Sequence, residues 1–313
     1  MIKKSALKAV FETALKLKPS ESCLILTDTS KESLAKQFFD YVSKINSKVH
    51  FEVMKPLNGH GQEPLPQIAD LMKRFDVELL ITSFSLTHTK ARRDANKAGA
   101  RIASMPLLTE EISNRCLDVD FKEVNDVCER LQGVLQNSKT VRVTSGSGTD
   151  IIFQLGNRKI FSTPGLIHSK GAVNNLPDGE VEFSPVSASG RYVVDGSLVG
   201  FEKSKLPLIF DVGDGTVTNI SGKHALEFKE ILNKIGPKAY VVAELGIGTN
   251  PKAIVTGNIL EDEKSLGTCH IAVGNNLSYG GFNDVPLHLD GLILKPTIFA
   301  DEEMVMKNGK LLL

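Results

Sequence analysis

Cys23-Leu-Ile-Leu-Thr-Asp-Thr-Ser30 reads as a short apolar strand that ends in a polar turn, and residues 31–44 then change to helical spacing. The same succession recurs on either side. Val49-His-Phe-Glu-Val53, Val77-Glu-Leu-Leu-Ile-Thr82 and Ala100-Arg-Ile-Ala-Ser104 have strand character, and residues 64–74 and 89–98 are helical between them. Strands that alternate with helices pair in parallel through crossover connections. Residues 1–137 are therefore predicted to form an α/β domain with a mainly parallel sheet. Thr27-Asp-Thr-Ser30 is placed to cap the helix that follows it, and Pro64 and Pro66 mark the start of the next.

Ahead of this stretch, Ile2, Ala6, Val10, Phe11, Ala14 and Leu15 fall near helical spacing, and Glu12 interrupts the positive charge. This is the pattern of an amphipathic helix of the fold, not of a secretory signal. No apolar run approaches the roughly 18 residues of a membrane span. Lys plus Arg and Asp plus Glu number 37 each in 313 residues, which gives neither nucleic acid nor an anionic membrane an electrostatic footprint. Cys23, Cys116, Cys128 and Cys269 are scattered and form no Cys-x-x-Cys, so the expectation is a cytoplasmic protein without disulfides.

Beyond a predicted linking helix at 121–137 the rhythm changes. Thr140–Thr144 and Asp150–Gln154 flank the turn-like Ser145-Gly-Ser-Gly-Thr149, and Leu206–Val212 and Val217–Ile220 flank Gly213-Asp-Gly215. A helix is predicted at 224–235, stopped by Gly236-Pro237, and a last hairpin crosses Asn308-Gly309. Residues 138–313 are thus predicted to be a β-rich α+β domain.

That second half also carries the side chains with chemistry. His288 and Asp290 stand two apart on a predicted strand, so both reach one face while Leu287 and Leu289 turn to the core. Imidazole and carboxylate suit zinc, cobalt or non-haem iron, and the lack of a cysteine cluster argues against a closed structural zinc site. Glu244 interrupts an apolar run, where an unpartnered carboxylate would be costly. Glu180 and Glu182 follow a Pro/Gly turn, and His270 sits in Cys269-His-Ile-Ala-Val-Gly274. Gly246-Ile-Gly248 and Ser145-Gly-Ser-Gly148 complete no nucleotide-binding pattern and are both expected as turns. His50, His60 and His224 are expected to be solvated. Lys90, Arg92 and Arg93 read as the polar face of a helix, and Asp284 reads as a loop carboxylate.

Taken in order, Asn175-Leu-Pro-Asp-Gly-Glu-Val181, Glu244-Leu-Gly246, Cys269–Gly274 and His288-Leu-Asp290 resemble the M29 aminopeptidases, the aminopeptidase T and aminopeptidase S group. The resemblance implies metal ligands at Glu180, Glu244, His270, His288 and Asp290, with Glu244 bridging two ions of zinc, cobalt or manganese. It also implies a homodimer and a tyrosine near the site, for which Tyr279 lies slightly late. M29 peptidases are longer than this chain. A shorter branch, the 2,5-dihydroxypyridine dioxygenases, holds one Fe(II) through a Glu/His/Asp set that Glu244, His288 and Asp290 match equally well. Thr82-Ser-Phe-Ser-Leu-Thr-His88-Thr89 resembles that branch too.

The first expectation is an aminopeptidase in which a metal-activated water attacks a peptide, with Glu182 carrying the proton. The alternative is a mononuclear iron enzyme that opens a small aromatic ring, with His88 or His168 as substrate-binding acid–base groups. A protein that kept the fold and lost turnover is the third reading, and failure to bind metal would be its mark.

Overall fold

The computed structural model describes residues 1–198, 201 and 207–313. They divide into two units, one of residues 1–123 and 164–178, the other of 124–163 and 179–313.

In the first unit five strands lie in the order Val49–Met54, Cys23–Asp28, Val77–Ile81, Arg101–Ser104, Val173–Asn175, and every pairing is parallel. The central strands are buried along their whole length, as expected of a parallel sheet covered on both faces. On one face Leu24, Leu26, Leu80 and Ile102 form a core with Ile68 and Met72 of the helix Pro66–Met72 and Ala91 and Ala95 of the helix Lys90–Ala98. Ile2, Ala6, Val10, Phe11, Ala14 and Leu15 are all buried, on and just beyond the ends of a helix at Lys4–Lys8 that widens to π-helix over Ala9–Ala14.

Two expectations here need correction. The helix Glu32–Val42 starts from Lys31 with no side-chain cap. Asp28, placed to cap it, instead accepts hydrogen bonds from the backbone N–H groups of Ser30 and Ser83 and from the Ser83 hydroxyl. Its carboxylate joins the loops after two neighbouring strands. The domain boundary also moves from the expected 137. The helix Phe121–Gln136 goes largely with the second unit and buries Val124, Cys128, Leu131 and Leu135. Residues 164–178 then return to supply the first unit's fifth strand.

The second unit is β-rich. Its eight-stranded sheet runs in the order Thr216–Gly222, Leu208–Gly213, Ser187–Val194, Asp150–Gln154, Thr140–Thr144, Thr297–Ala300, Glu303–Lys307, Lys310–Leu311, all antiparallel. The three expected hairpins are present, although Leu206, expected to open one, lies outside the described residues. Asn308 and Gly309 both have positive φ, 48° and 78°, which suits a tight two-residue turn. The helix Ala225–Ile235 ends at Gly236 as expected. The second sheet runs His288–Leu294, Thr268–Gly274, Val242–Gly248, Glu180–Phe183, Phe161–Thr163, again antiparallel. All four cysteines are buried and none is in a disulfide, and no helix among the described residues is long and apolar enough to cross a membrane.

Candidate metal centre

Strand alternation builds the centre. In the five-stranded sheet the odd-numbered Val181, Phe183, Leu245, Ile247, Ile271, Val273 and Ile293 are buried apolar side chains. Phe183 meets Phe153 of the eight-stranded sheet edge to face, with ring centroids 6.4 Å apart. Even-numbered residues therefore point to the opposite face. Across that face the register sets Glu180 beside Gly248, Glu182 and His270 on either side of Gly246, and Asp290 and Glu244 on either side of Ala272. His288 follows beside Gly274. Residues up to 110 positions apart in the chain, Glu180 and Asp290, thus share one surface.

Gly246 makes this possible. A Cβ there would stand 2.1 Å from His270 Cε1 and 2.2 Å from its Nε2, so only glycine lets the ring lie across the strand. Gly246-Ile-Gly248 is accordingly part of a buried strand, not the expected turn, whereas Ser145–Gly148 does form one.

His288 Nε2 lies 3.1 Å from Glu244 Oε2 and 3.1 Å from Asp290 Oδ1. Its Nδ1 is 2.8 Å from the Asn275 carbonyl, which can only accept, so Nδ1 carries a proton. Nε2 is thereby turned towards the two carboxylates. Asp284 reaches this ring only indirectly, through the Asn275 side-chain amide at 3.1 Å. His270 Nε2 lies 3.2 Å from Glu244 Oε1 and 3.8 Å from Glu180 Oε2, so Glu244 touches both rings. Among the described residues, two sets of three possible ligand atoms fall within 4.8 Å of one another: Glu244, His288 and Asp290, and Glu263, His270 and Asp290. The residue common to both sets is Asp290, whereas the resemblance implied Glu244 as the bridge.

Glu263 is the ligand candidate that the sequence did not reveal. It lies in Glu261-Asp-Glu-Lys264, whose local pattern is that of a solvated turn, yet Glu261, Asp262 and Lys264 are at most 2% exposed. The Lys264 ammonium forms ion pairs with Glu180 and, at 2.8 Å, with Glu263. Glu180 is therefore on the expected face but belongs to neither three-ligand set.

The electrostatics favour positive charge. Burial alone would raise the Glu244 carboxyl, but hydrogen bonds and charge from His270 and His288 outweigh it and hold the group below the usual carboxylate range. Burial likewise opposes protonation of His270, and Glu244, Glu180 and Asp290 overcome it to push the ring up to about 9. His288 is raised well above its ordinary value by Asp290 and Glu244 against the same burial. Glu263 is raised to about 7, by burial first, with Lys264 pulling the other way. A divalent cation would provide the compensation that these carboxylates otherwise draw from the imidazoles. One Glu180 oxygen is also buried without a hydrogen-bond partner. The donor set thus fits a hard or borderline divalent metal.

Among the remaining expected residues, Tyr279 stacks on His288, with ring centroids 5.0 Å apart and planes inclined by 23°. Glu182 is buried on the metal face. Leu287 and Leu289 are half-buried, less deep than expected. His88 and His168 belong to the first unit. His168 is exposed, with Nε2 2.8 Å from the Thr13 carbonyl. His88 lies on the loop after Val77–Ile81, and its carbonyl accepts from Arg93.

An α/β unit with a parallel sheet, joined to a β-rich unit with a carboxylate–imidazole cluster on one sheet face, defines a metalloenzyme-type scaffold. The chain belongs to the NicX family, 2,5-dihydroxypyridine 5,6-dioxygenase, whose sequence model matches residues 5–313. Its fold is that of the 2,5-dihydroxypyridine dioxygenase from Pseudomonas putida KT2440, with a TM-score of 0.83 at 18% identity over 98% of this chain and 96% of that one. AmpT from Thermus thermophilus shares the fold with a TM-score of 0.70 at 15% identity, over 99% of this chain and 98% of that one. Both expected resemblances are present, and coverage does not separate them. No curated protein sequence matches the chain.

Proposed function

We propose that this protein holds a single divalent iron and uses O₂ to open a dihydroxylated aromatic ring of the 2,5-dihydroxypyridine kind. The observation that carries this reading is the compact Glu244–His288–Asp290 set in a chain of the NicX family. Glu244, His288 and Asp290 would hold the iron with three donors and leave positions for the ring and O₂, as ring-cleaving chemistry requires. Divalent iron, when bound, supplies the place where ring and O₂ meet and the path for electrons between them. Both oxygen atoms end in the product, one ring carbon–carbon bond breaks, and no external reductant is consumed.

The chain's own residues prepare that reaction. Asn275 fixes the orientation of His288. The Glu244 and His270 side chains are only 2% exposed, against 19% for His288 and 13% for Asp290, so the cluster is open on the His288 side. The Tyr279 ring, stacked on that of His288, lies on this side and offers an aromatic wall to an aromatic substrate.

One observation favours a second reading, the metal-dependent aminopeptidase. Asp290 belongs to both ligand sets, as a bridging carboxylate of a two-ion hydrolase would. In that case Glu182 is the proton carrier. Metal analysis of protein purified without chelator and under exclusion of oxygen separates the two. About one equivalent of iron, with O₂ uptake on addition of 2,5-dihydroxypyridine, is the expected result. About two equivalents of zinc, cobalt or manganese, with oxygen-independent hydrolysis of aminoacyl anilides, would overturn it.

A further inference from the structure

Beside the Glu244–His288–Asp290 set lies the second one, Glu263, His270 and Asp290, and next to it a buried ammonium. The Lys264 side chain is 2% exposed, and its ammonium pairs with Glu180 and with Glu263, whose side chains are 6% and 13% exposed. It is thus an ion-pair partner of one member of the second set and of a carboxylate close to that set's imidazole, with Glu180 Oε2 3.8 Å from His270 Nε2.

The backbone holds this lysine in place. Its N–H donates to the Glu261 carbonyl at 3.0 Å, and its own carbonyl accepts from Asn250 at 2.8 Å. The chain passes so close to Gly248 that a Cβ there would stand 2.9 Å from the Lys264 carbonyl carbon. Burying an ammonium between two carboxylates adds little net stability compared with apolar residues of the same volume. Its presence calls for a use, and the chemistry of its surroundings supplies one.

We infer that Lys264 is a built-in monovalent cation that denies the Glu263–His270–Asp290 set a second metal ion, so that the centre takes one divalent cation at Glu244, His288 and Asp290. The inference rests on the single-ion reading above and gives its cause. A divalent ion on Glu263 would share that carboxylate with an ammonium a few ångströms away. Across such a distance in a protein interior, like-charge repulsion lowers affinity by about a hundredfold or more.

The test is binding of Mn(II) to the full chain, followed by calorimetry and by electron paramagnetic resonance. The wild-type protein is expected to take one equivalent and give the six-line spectrum of an isolated ion. Lys264→Met, close in length and uncharged, is expected to take a second equivalent at least about a hundredfold more tightly than any further binding by the wild type. The two ions, joined through Asp290, should give an exchange-coupled spectrum. The double variant Glu180→Gln, Lys264→Met removes both charges of one ion pair, so that only Glu263 loses an ammonium partner, and should behave the same way. One isolated ion in these variants, with one in the wild type, would overturn the role of Lys264 and leave the single-ion reading intact. Two coupled ions in the wild type would overturn that reading, and the inference with it.

Discussion

Gly246 stands directly across the strand pair from His270, and the imidazole occupies the space that a Cβ at 246 would need. Gly246→Ala must therefore turn the ring away from Glu244 or force the strands apart. Affinity for Mn(II) or Fe(II) is expected to fall at least about tenfold, as when a ligand's support is lost. Stability should drop by about 1–3 kcal/mol, the usual effect of overpacking. Calorimetric titration and urea unfolding measure the two; unchanged metal affinity would mean that the strand does not position His270.

Asp290 and Glu263 should differ sharply. Asp290 belongs to both ligand sets, Glu263 only to the one beside Lys264. Asp290→Asn is expected to cost about a hundredfold or more in metal affinity, whereas Glu263→Gln should leave the first equivalent bound with less than about a tenfold change. Equal losses in the two variants would contradict the assignment of the ion to the Glu244–His288–Asp290 side.

The fold was legible where burial writes a strong pattern. Cys23–Asp28 and Val77–Ile81 are buried on both faces and so read as largely apolar runs, broken only by Glu78 and the closing Thr27-Asp28, and the hairpins carry Gly, Ser and Asn in their turns. Val173–Asn175 was not legible as a strand. It is three residues long, half-buried and mostly polar, and joins the parallel sheet only through Arg101–Ser104. In the centre, the His288–Asp290 spacing was enough to place two side chains on one face. Glu263 had no such signal, because its loop is shaped by distant contacts: Asn250 holds the Lys264 carbonyl, and Asp262 accepts from the backbone N–H groups of Thr256 and Gly257. Gly246 has no strand signal of its own, because a glycine pair suggests a turn and only the ring across the strand explains it.

Glu78 sits between Leu24 and Ile102 in the parallel sheet, fully buried, with neither carboxyl oxygen hydrogen-bonded. Burial raises its pKa well above the ordinary 4.5. Below 4.5 the folded and unfolded chains both hold the proton. Above it the unfolded chain ionises first, so this group's contribution makes stability fall as pH rises from about 4.5 towards the raised folded value. Glu78→Leu should remove that slope and gain about 1–3 kcal/mol at pH 8. Urea unfolding at pH 5 and pH 8 checks both; a variant less stable than the wild type at pH 8 would refute it.

Arg101 is buried in the first unit, where its guanidinium donates to the carbonyls of Leu15 and Ile167 and pairs with Glu21 at 2.8 Å. Arg101→Leu takes this donor from both carbonyls and leaves Glu21 with the Lys18 N–H. A loss of about 3–5 kcal/mol is expected, visible as a large fall in melting temperature. A change under about 1 kcal/mol would show that water or a neighbouring donor replaces the guanidinium.

The thiols should be inert in the native protein. All four cysteines are buried, and burial, followed by the charge of Glu78, pushes Cys23 up to about 12. Ellman's reagent at pH 8 is expected to label none of them until denaturant is added. Rapid labelling of any one would reveal local opening around it.

Because residues 164–178 complete a sheet begun by residues 23–104, the polypeptide crosses between its two units three times. A protease that cuts any single crossing releases neither unit as a separate piece. A cut at the first or second crossing leaves the strand Val173–Asn175 on the fragment opposite its partner Arg101–Ser104, and a cut at the third leaves Thr140–Thr144 opposite its partner Thr297–Ala300, so strand pairing holds the two fragments together in each case. On the ribosome the same connectivity delays the first unit: its sheet lacks an edge until residue 175 has emerged, well after the second unit has started. The chain is therefore not two beads on a string, and a fragment ending at residue 137 would be an incomplete domain with an unpaired strand edge.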